Sequence, residues 1–294
     1  MTNLTFRQLR YFEALAHHRH FGHAADACAI SQPALSVQIK ELEASLGTVL
    51  FERGAREVRL TSFGEECAPR IADILRSVEE LGDMARAAQD GLVGQLRIGV
   101  IPTIAPYLLP TLIGNLTGMY AGLDIQIRET LTPTLIEELS KGMLDAAIVA
   151  LPIHESWLTE VAMFDENLVL VRPDKDRNAP VPSLEMLRDM QLLLLEEGHC
   201  FRDSALSFCN IPPNVPQKGL NGSSLATLVQ MVGAGIGVTL IPEMAIAVET
   251  RAAAVTITPF DPPQPTRTVG MVWRKTSPLA PQLLQIAKVV CRPS

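Results

Sequence analysis

Apolar residues recur at helical spacing through the first fifty residues of the chain. One set predicts a first helix that Thr5 is placed to cap: Phe6, Leu9, Phe12 and Leu15. An alanine-rich segment over residues 24–28 predicts a second helix. A third is predicted where Ser31 can act as N-cap and Pro33 falls in the first turn; its apolar stripe is Leu35, Ile39, Leu42 and Leu46, and Gly47 ends it. Two short helices joined by a tight turn are typical of a helix-turn-helix.

The face of the third helix that lies opposite its apolar stripe carries small and polar groups, which suit entry into a DNA major groove. Gln32 and Ser36 are placed to hydrogen-bond base edges. The residues predicted to contact DNA from this helix are Gln32, Pro33, Ala34, Ser36, Val37 and Lys40. Arg53 and Arg56 alternate with apolar positions around a glycine and predict a wing that reaches phosphates. An ordinary small helical domain with a solvated face is the alternative on these patterns.

The next apolar stripe predicts one long helix, and its positions are Ile71, Ile74, Leu75, Val78, Leu81 and Met84. No second stripe lies nearby in the sequence to cover it. A helix of this kind most often pairs with its copy in a second chain, which also lets a helix-turn-helix protein read two half-sites. Packing of the helix onto its own domain is the alternative.

Beyond residue 93 the pattern changes to alternating strands and helices. The stretch from Gly94 to Pro110 predicts a buried strand, a loop and a helix. LDAAIVALP and LVLVRPD predict further strands, and LATLVQMVGAGIGVTLIPEMAI predicts a helix followed by a strand. Such alternation indicates an α/β domain in which loops at the strand ends line a cleft.

Composition and charge narrow the class of protein. Hydrophobic content of 47% and charged content of 19% fit a soluble globular chain. The net charge of −7 gives no general attraction to nucleic acid, but residues 1–60 carry +1 and the remainder −8, so any DNA binding must be local. No signal peptide pattern or membrane-length apolar run is present, so we expect a cytoplasmic protein with reduced thiols.

Five cysteines are scattered along the chain, and two of them lie nine positions apart in the segment EEGHCFRDSALSFCN. By residue pattern alone, Cys200 and Cys209 could be metal ligands, a disulfide, packing residues or a reactive pair. No Cys or His spacing suggests a metal site, and no cofactor is expected. Cys28, Cys67 and Cys291 are interpreted as packing residues.

The segment from Leu9 to Gly64 closely resembles the N-terminal domain of LysR-type transcriptional regulators. The resemblance is carried by the order Ala-Ala, Ser-Gln-Pro-Ala-Leu-Ser, Leu-Glu, Leu-Gly and Leu-Phe-Glu-Arg. It implies an α/β fold class: an N-terminal winged helix-turn-helix over 1–60, a linker and dimerisation helix over 61–92, and a two-subdomain effector domain, built like a periplasmic binding protein, over 93–294. Subdomain I is expected over about 93–164 and 268–294, and subdomain II over about 165–267. The implied partners are double-stranded promoter DNA, RNA polymerase and further copies of the chain, which form a homodimer through the linker helix and a homotetramer.

Within this family, GHCFRDSALSFC resembles the redox segment of the members that sense hydrogen peroxide. The resemblance implies a regulator, not an enzyme, that controls antioxidant genes through oxidation of Cys200 and a reversible disulfide with Cys209. It also implies that Thr103, Thr132 and His199 bind peroxide, and Arg202 is a further nearby donor.

The two thiols are expected to differ. Cys200 stands at a helix start, where the helix dipole favours thiolate, whereas Cys209 falls on an apolar stripe. In one helix they would lie ~13.5 Å apart along the axis, but a disulfide needs Cα atoms within ~7 Å, so oxidation must remodel the segment. Two alternatives stay open: a regulator of the same fold that responds to a small molecule in its cleft, and a thiol peroxidase.

Overall fold

The computed structural model describes residues 4–53, 58–87, 94–183, 186–187, 190–209 and 221–290. The chain divides into two compact units, Met1–Asp83 and Met84–Ser294. The boundaries predicted after residues 60 and 92 stay predictions. None of the helices in the described ranges combines the length and the apolar character that a membrane crossing requires.

The first unit contains three helices, a β-hairpin and most of a long fourth helix. The helices are α1 (Phe6–His18), α2 (Phe21–Ala27), α3 (Gln32–Leu46) and α4 (Ser62–Ala87), and the antiparallel hairpin strands are β1 (Phe51–Arg53) and β2 (Val58–Leu60). The predicted caps are confirmed: Gln8 N donates to Thr5 Oγ1 at 3.3 Å, and Ala34 N donates to Ser31 Oγ at 3.4 Å. Gly47 ends α3 with a φ of 71°, a left-handed conformation that glycine adopts without strain.

The apolar residues predicted to form one stripe on α4 divide between two adjacent faces of the helix, one buried and one exposed. Ile71 and Leu75 are buried in the core of the first unit, where they pack with the apolar faces of α1 and α3. Four other positions lie exposed: Ile74, Val78, Leu81 and Met84. The long helix therefore uses one face for its own unit and leaves the other uncovered in the single chain.

The second unit is an α/β structure around a seven-stranded mixed sheet. Its strands are β3 (Gly94–Val100), β4 (Leu123–Glu129), β5 (Ala146–Leu151), β6 (Leu158–Pro173), β9 (Thr239–Pro242), β10 (Val255–Thr258) and β11 (Thr266–Arg274), with a separate two-stranded pair β7 (Leu194–Leu195) and β8 (Asn221–Gly222). Its helices are α5 (Ala105–Met119), α6 (Thr132–Ser140), α7 (Cys200–Phe208), α8 (Leu225–Gly233), α9 (Ile246–Glu249) and α10 (Ala280–Val289).

One long strand, β6, contributes to both halves of this unit. The sheet order is β10, β6, β11, β5, β3 and β4, with β9 also paired to β6. β3 pairs in parallel with both β4 and β5, whereas β11 pairs antiparallel with both β5 and β6. LVLVRPD covers only the second half of β6, which is 16 residues long, so the sequence pattern missed the part of β6 that crosses between the halves.

Separate hydrophobic cores fill the two halves. The first core lies around β3, β5, α5, α6 and the C-terminal α10, and the second around the end of β6, β9, α7 and α8. The hydroxyl of Tyr107, on α5, donates to Glu249 Oε1 on α9 at 2.7 Å. Burial and this carboxylate raise the pKa of Tyr107 well above its usual range, so the phenol stays protonated and keeps donating. This hydrogen bond ties α5 to α9.

Candidate functional site

A small pocket lies where the chain enters α5, α6 and α7. It is a narrow surface cleft whose empty space, open solvent included, is about 170 Å³, and its lining residues are Ile101, Pro102, Thr103, Leu131, Thr132, Gly198, His199, Cys200 and Phe201. Four of the residues predicted from the sequence therefore lie in one pocket: Thr103, Thr132, His199 and Cys200. They come from three segments that are separated by about thirty and about seventy positions.

Thr103 is held in place by a buried arginine. Arg267 Nη1 donates to Thr103 Oγ1 at 2.8 Å, and Nη2 donates to the Thr103 carbonyl oxygen at 2.9 Å. Because the Thr103 oxygen already accepts this bond, its own hydroxyl proton is available to donate elsewhere. The pocket therefore contains an oriented hydroxyl donor.

The charge of Arg267 is balanced by Glu166, which stands directly opposite it across β11 and β6. Arg267 Nε donates to Glu166 Oε2 at 2.8 Å, and Met244 N donates to Glu166 Oε1 at 2.9 Å. The two charged side chains are only 2% and 1% exposed. The other side of the guanidinium lies over the ring of Phe201, 5.4 Å from its centroid. Contacts with Thr103, Glu166 and Phe201 therefore fix the position of the Arg267 guanidinium.

Thr132 begins α6, and its buried hydroxyl has no hydrogen-bond partner among the residues that the structure describes. A buried hydroxyl in that state costs roughly 1–3 kcal/mol. Leu131, the N-cap residue, supplies no side-chain bond to the helix start, so backbone N–H groups of the first turn also lack that partner. A ligand with hydrogen-bonding oxygen atoms in the pocket would provide partners both for the Thr132 hydroxyl and for these backbone N–H groups.

Cys200 is the first residue of α7 and is half-buried. His199 is the N-cap, yet its side chain makes no capping bond to the helix. Burial lowers the pKa of His199 below its usual 6.5, and Glu196 opposes this effect. Gly198 precedes them with a φ of +93°, and a Cβ built there would lie 3.0 Å from Leu131 Cδ1, so this position favours glycine for both backbone and space.

Cys209 caps the other end of α7 and is fully buried, as its place on the apolar stripe predicts. Cys200 packs against the first hydrophobic core, whereas Cys209 belongs to the second. Neither thiol is in a disulfide. The helical segment between them is confirmed, and at a rise of ~1.5 Å per residue it keeps the two Cα atoms ~13.5 Å apart along the axis.

Arg202 is not among the residues that line the pocket. Its Nη1 donates to the Leu195 carbonyl oxygen at 2.9 Å and to Asn221 Oδ1 at 3.2 Å. These bonds tie α7 to the β7–β8 pair, so the geometry favours an anchoring role for Arg202 over contact with a ligand.

The surroundings of Cys28 and Cys67 disfavour their thiolate forms. Burial raises the pKa of Cys28, an effect that Arg10 opposes, and burial and Glu66 raise the pKa of Cys67. Cys291 lies outside the described residues. Within those residues, no group of three or more His, Cys, Asp or Glu side chains is arranged to hold a metal ion.

Comparison with known proteins matches both units to one family. Residues 6–65 match the bacterial regulatory helix-turn-helix proteins of the lysR family, and residues 89–290 match the LysR substrate binding domain. The chain belongs to the LysR family of transcription regulators. Its architecture is the one that the resemblance implied: a helix-turn-helix domain followed by an α/β effector domain.

Several OxyR proteins are similar to this LysR-type regulator. The DNA-binding transcriptional dual regulator OxyR of Escherichia coli K12 is 39% identical over 291 residues, which cover 98% of this chain and 95% of OxyR. A full-length cysteine-to-aspartate OxyR of Pseudomonas aeruginosa superposes with a TM-score of 0.76 at 36% identity, covering 99% and 97% of the two chains. A Corynebacterium glutamicum OxyR cysteine-to-serine mutant with bound H2O2 has a TM-score of 0.66 at 34% identity, covering 96% and 90%.

The surface of this LysR-type regulator that is predicted to face DNA is accessible on α3. Ser36 is half-buried, and the exposed residues are Gln32, Pro33, Ala34, Val37 and Lys40. Glu43 Oε1 accepts from the backbone N of Leu50 at 2.9 Å, which ties α3 to the hairpin. Arg53 ends strand β1, and Arg56 lies outside the described residues.

Sequence reasoning missed Arg267 and Glu166. Each is flanked by polar residues in its strand of the LysR-type effector domain, Glu166 by Asp165 and Asn167 and Arg267 by Thr266 and Thr268, and the two are 101 positions apart. A charged residue at an inward position of each of two neighbouring strands is the signal that would have found them, but only once the pairing of β6 and β11 is known.

Proposed function

We propose that this LysR-type regulator senses hydrogen peroxide through Cys200 and changes its DNA contacts when the thiol is oxidised. The observation that carries the proposal is the pocket lined both by Cys200 and by Thr132, whose buried hydroxyl has no partner among the described residues. Peroxide is small, has two donors and several acceptor sites, and suits a pocket with a few convergent polar groups. The similarity to OxyR proteins, including one with bound H2O2, supports the same assignment.

The pocket supplies a partner for each part of the peroxide molecule. The Thr103 hydroxyl, oriented by Arg267, and the Thr132 hydroxyl hydrogen-bond the two peroxide oxygens. His199 is neutral near pH 7 because burial lowers its pKa, so it can donate or accept one hydrogen bond without adding charge. The uncapped starts of α6 and α7 place positive dipole ends near the oxygen that leaves.

The first chemical step is attack of the Cys200 thiolate on one peroxide oxygen. The S–O bond forms as the O–O bond breaks, which gives a sulfenic acid and releases hydroxide that takes up a proton to become water. Sulfur is oxidised by two electrons and peroxide is reduced by two. Donors placed on the leaving oxygen favour this step because charge develops there.

In the second step the Cys209 thiol displaces hydroxyl from the sulfenic acid and a disulfide forms with loss of water. The separation of ~13.5 Å along α7 far exceeds the ~7 Å Cα distance that a disulfide allows. Cys209 must also leave the second core, so α7 has to unwind. The reduced helix and the disulfide-bonded segment are therefore mutually exclusive states, which is what a switch requires.

The switch controls transcription if the two states bind DNA differently, because an input that acts equally on both states shifts nothing. DNA binding uses α3 and the hairpin, with Gln32 and Ser36 on base edges and Lys40, Arg53 and Arg56 on phosphates. The exposed face of α4 pairs two chains, and a tetramer that contacts RNA polymerase at promoters of antioxidant genes completes the proposed assembly.

Thiol counting by mass spectrometry after brief exposure to equimolar peroxide tests the sensor. We expect loss of two thiols that map to Cys200 and Cys209, reversed by a thiol reductant, while Cys28 and Cys67 stay reduced. DNA footprints of the reduced and oxidised protein, recorded side by side, are expected to differ in extent. Unchanged thiols would contradict the proposal, and sustained peroxide consumption without DNA binding would instead identify a thiol peroxidase.

A further inference from the structure

The N-terminal half of α3 presents a small apolar patch to solvent. Val37 is 52% exposed, although its neighbours on the inner face, Leu35 and Ile39, are fully buried. Pro33 lies one turn before Val37 and is exposed, and so is Ala34. The patch, defined by Pro33, Ala34 and Val37, is held rigidly because Ser31 caps the helix start.

Polar side chains border this patch but do not cover it. Gln32 and Lys40 are exposed at its two ends along the helix. The amide of Gln38 is occupied within the helix, since its Nε2 donates to Glu41 Oε2 at 2.8 Å. If this face of α3 enters the major groove, the DNA therefore meets hydrogen-bonding groups at the edges of the patch and an apolar centre at Val37.

The chemistry of the major groove selects one base for an apolar centre. Thymine alone among the four bases presents a methyl group there, whereas the major-groove edges of adenine, guanine and cytosine present hydrogen-bond donors or acceptors and no methyl group. A valine that covers a polar base edge would remove water from it and return no hydrogen bond, which is unfavourable. Contact with the thymine methyl buries apolar surface on both sides.

We infer that Val37 is a specificity-determining residue that reads the C5-methyl group of one thymine in each DNA half-site. Pro33 and Ala34 complete the apolar surface around that methyl group. The inference rests on the DNA binding by α3 that is proposed above, and it adds the identity of a base and the chemical group by which it is recognised.

The test begins with selection of a preferred site from random-sequence duplex DNA by the full-length protein. Each thymine in that site is then replaced in turn by deoxyuridine, which removes only the methyl group, and binding is measured by fluorescence anisotropy at one fixed salt concentration. The proteins compared are the unaltered chain, Val37→Ala and Val248→Ala. Val248 is a matched control because it is 56% exposed and belongs to the second unit.

For the unaltered chain, we expect one thymine per half-site at which deoxyuridine weakens binding about fourfold, the effect of one buried methyl group. Val37→Ala should bind the selected site more weakly and show no further loss at that position. Val248→Ala should behave like the unaltered chain. Circular dichroism of Val37→Ala is expected to be unchanged, since Val37 is not part of the hydrophobic core of the first unit.

Two results would overturn the inference while leaving DNA binding intact. One is a selected site at which no deoxyuridine replacement weakens binding. The other is a methyl effect that persists unchanged in Val37→Ala. A protein that enriches no DNA sequence at all would overturn the proposed function as well, so the two failures are distinguishable.

Discussion

Cys200 and Cys209 lie at opposite ends of one nine-residue helix and pack against different hydrophobic cores. The accessible thiol is at the pocket, and the buried thiol is at the far end. Any bond between them must therefore be preceded by the loss of α7 and by removal of Cys209 from its core. The stability of α7 and the packing of Cys209 in the reduced protein set the free-energy cost of switching.

Exchanging each thiol separately should divide the reaction into its two steps. Cys209→Ser is expected to stop at the sulfenic acid of Cys200, because the resolving thiol is absent, and dimedone should label that residue. Cys200→Ser should give no dimedone adduct at all, and Cys28→Ser should react like the unaltered protein. Labelling of Cys209 in Cys200→Ser would show that the attacking thiol has been assigned wrongly.

Arg267 is expected to serve both stability and chemistry. In Arg267→Met the Glu166 carboxylate stays buried without its partner, which should cost about 3–5 kcal/mol in urea unfolding of the reduced protein. Oxidation followed by stopped flow should slow by about tenfold or more, because Thr103 loses the group that orients it.

A second substitution separates the two roles of Arg267. Adding Glu166→Gln removes the uncompensated charge but keeps an acceptor for the backbone N of Met244. The double variant should therefore recover most of the lost stability and still oxidise slowly. Recovery of the oxidation rate together with stability would mean that Arg267 acts only through the fold.

Gly198 is expected to keep the pocket open. Gly198→Ala forces a side chain into a conformation with φ of +93° and brings a methyl group to 3.0 Å from Leu131 Cδ1. We expect a stability loss of roughly 1–2 kcal/mol and slower oxidation of Cys200. Gly235→Ala is the control, because Gly235 has a φ of +81° with nothing within 4 Å of its Cβ position. Gly235→Ala should lose a similar amount of stability, but its Cys200 should oxidise at the rate of the unaltered protein. Equal oxidation rates of Cys200 in the two variants would contradict the prediction.

The neutral state of His199 predicts a pH dependence with a definite sign. Its pKa is lowered in the folded protein below 6.5, so the unfolded chain takes up the proton first as the pH falls. The contribution of His199 to unfolding free energy is therefore constant above pH 6.5 and becomes destabilising below it. Urea unfolding between about pH 5 and pH 8 should show this slope, and His199→Gln should reduce it. If the unfolding free energies of the unaltered protein and of His199→Gln change in parallel with pH, the prediction is refuted.

The exposed face of α4 predicts a dimer contact. Leu81 is 64% exposed, the most exposed of the large apolar residues on that face. Leu81→Glu places a charge in an apolar helix pair and should shift sedimentation toward the monomer and weaken DNA binding. Met143→Glu, at a position that is 48% exposed in the second unit, should leave the assembly unchanged. An unaltered dimer in Leu81→Glu would place the contact elsewhere.

Pattern and resemblance together predicted most of the fold and four of the pocket residues. The two threonines were predicted only through resemblance, because a threonine after a strand carries no distinctive local signal. Arg202 shows the opposite limit: its position beside Cys200 suggested a ligand contact, but its guanidinium turns toward Leu195 and Asn221. Proximity in sequence does not determine the direction of a long side chain.

What the sequence determined by itself is local. Helix α1 begins after Thr5, and helix α3 begins after Ser31 and ends before Gly47, as predicted. These ends are local because a cap is a bond between residues three or four positions apart. The tertiary structure decided which face of α4 is buried and that Arg267 reaches Thr103, 164 positions away. Such contacts depend on which strands pair and in which register, and that choice is made by the packing of the whole unit, not by neighbouring residues.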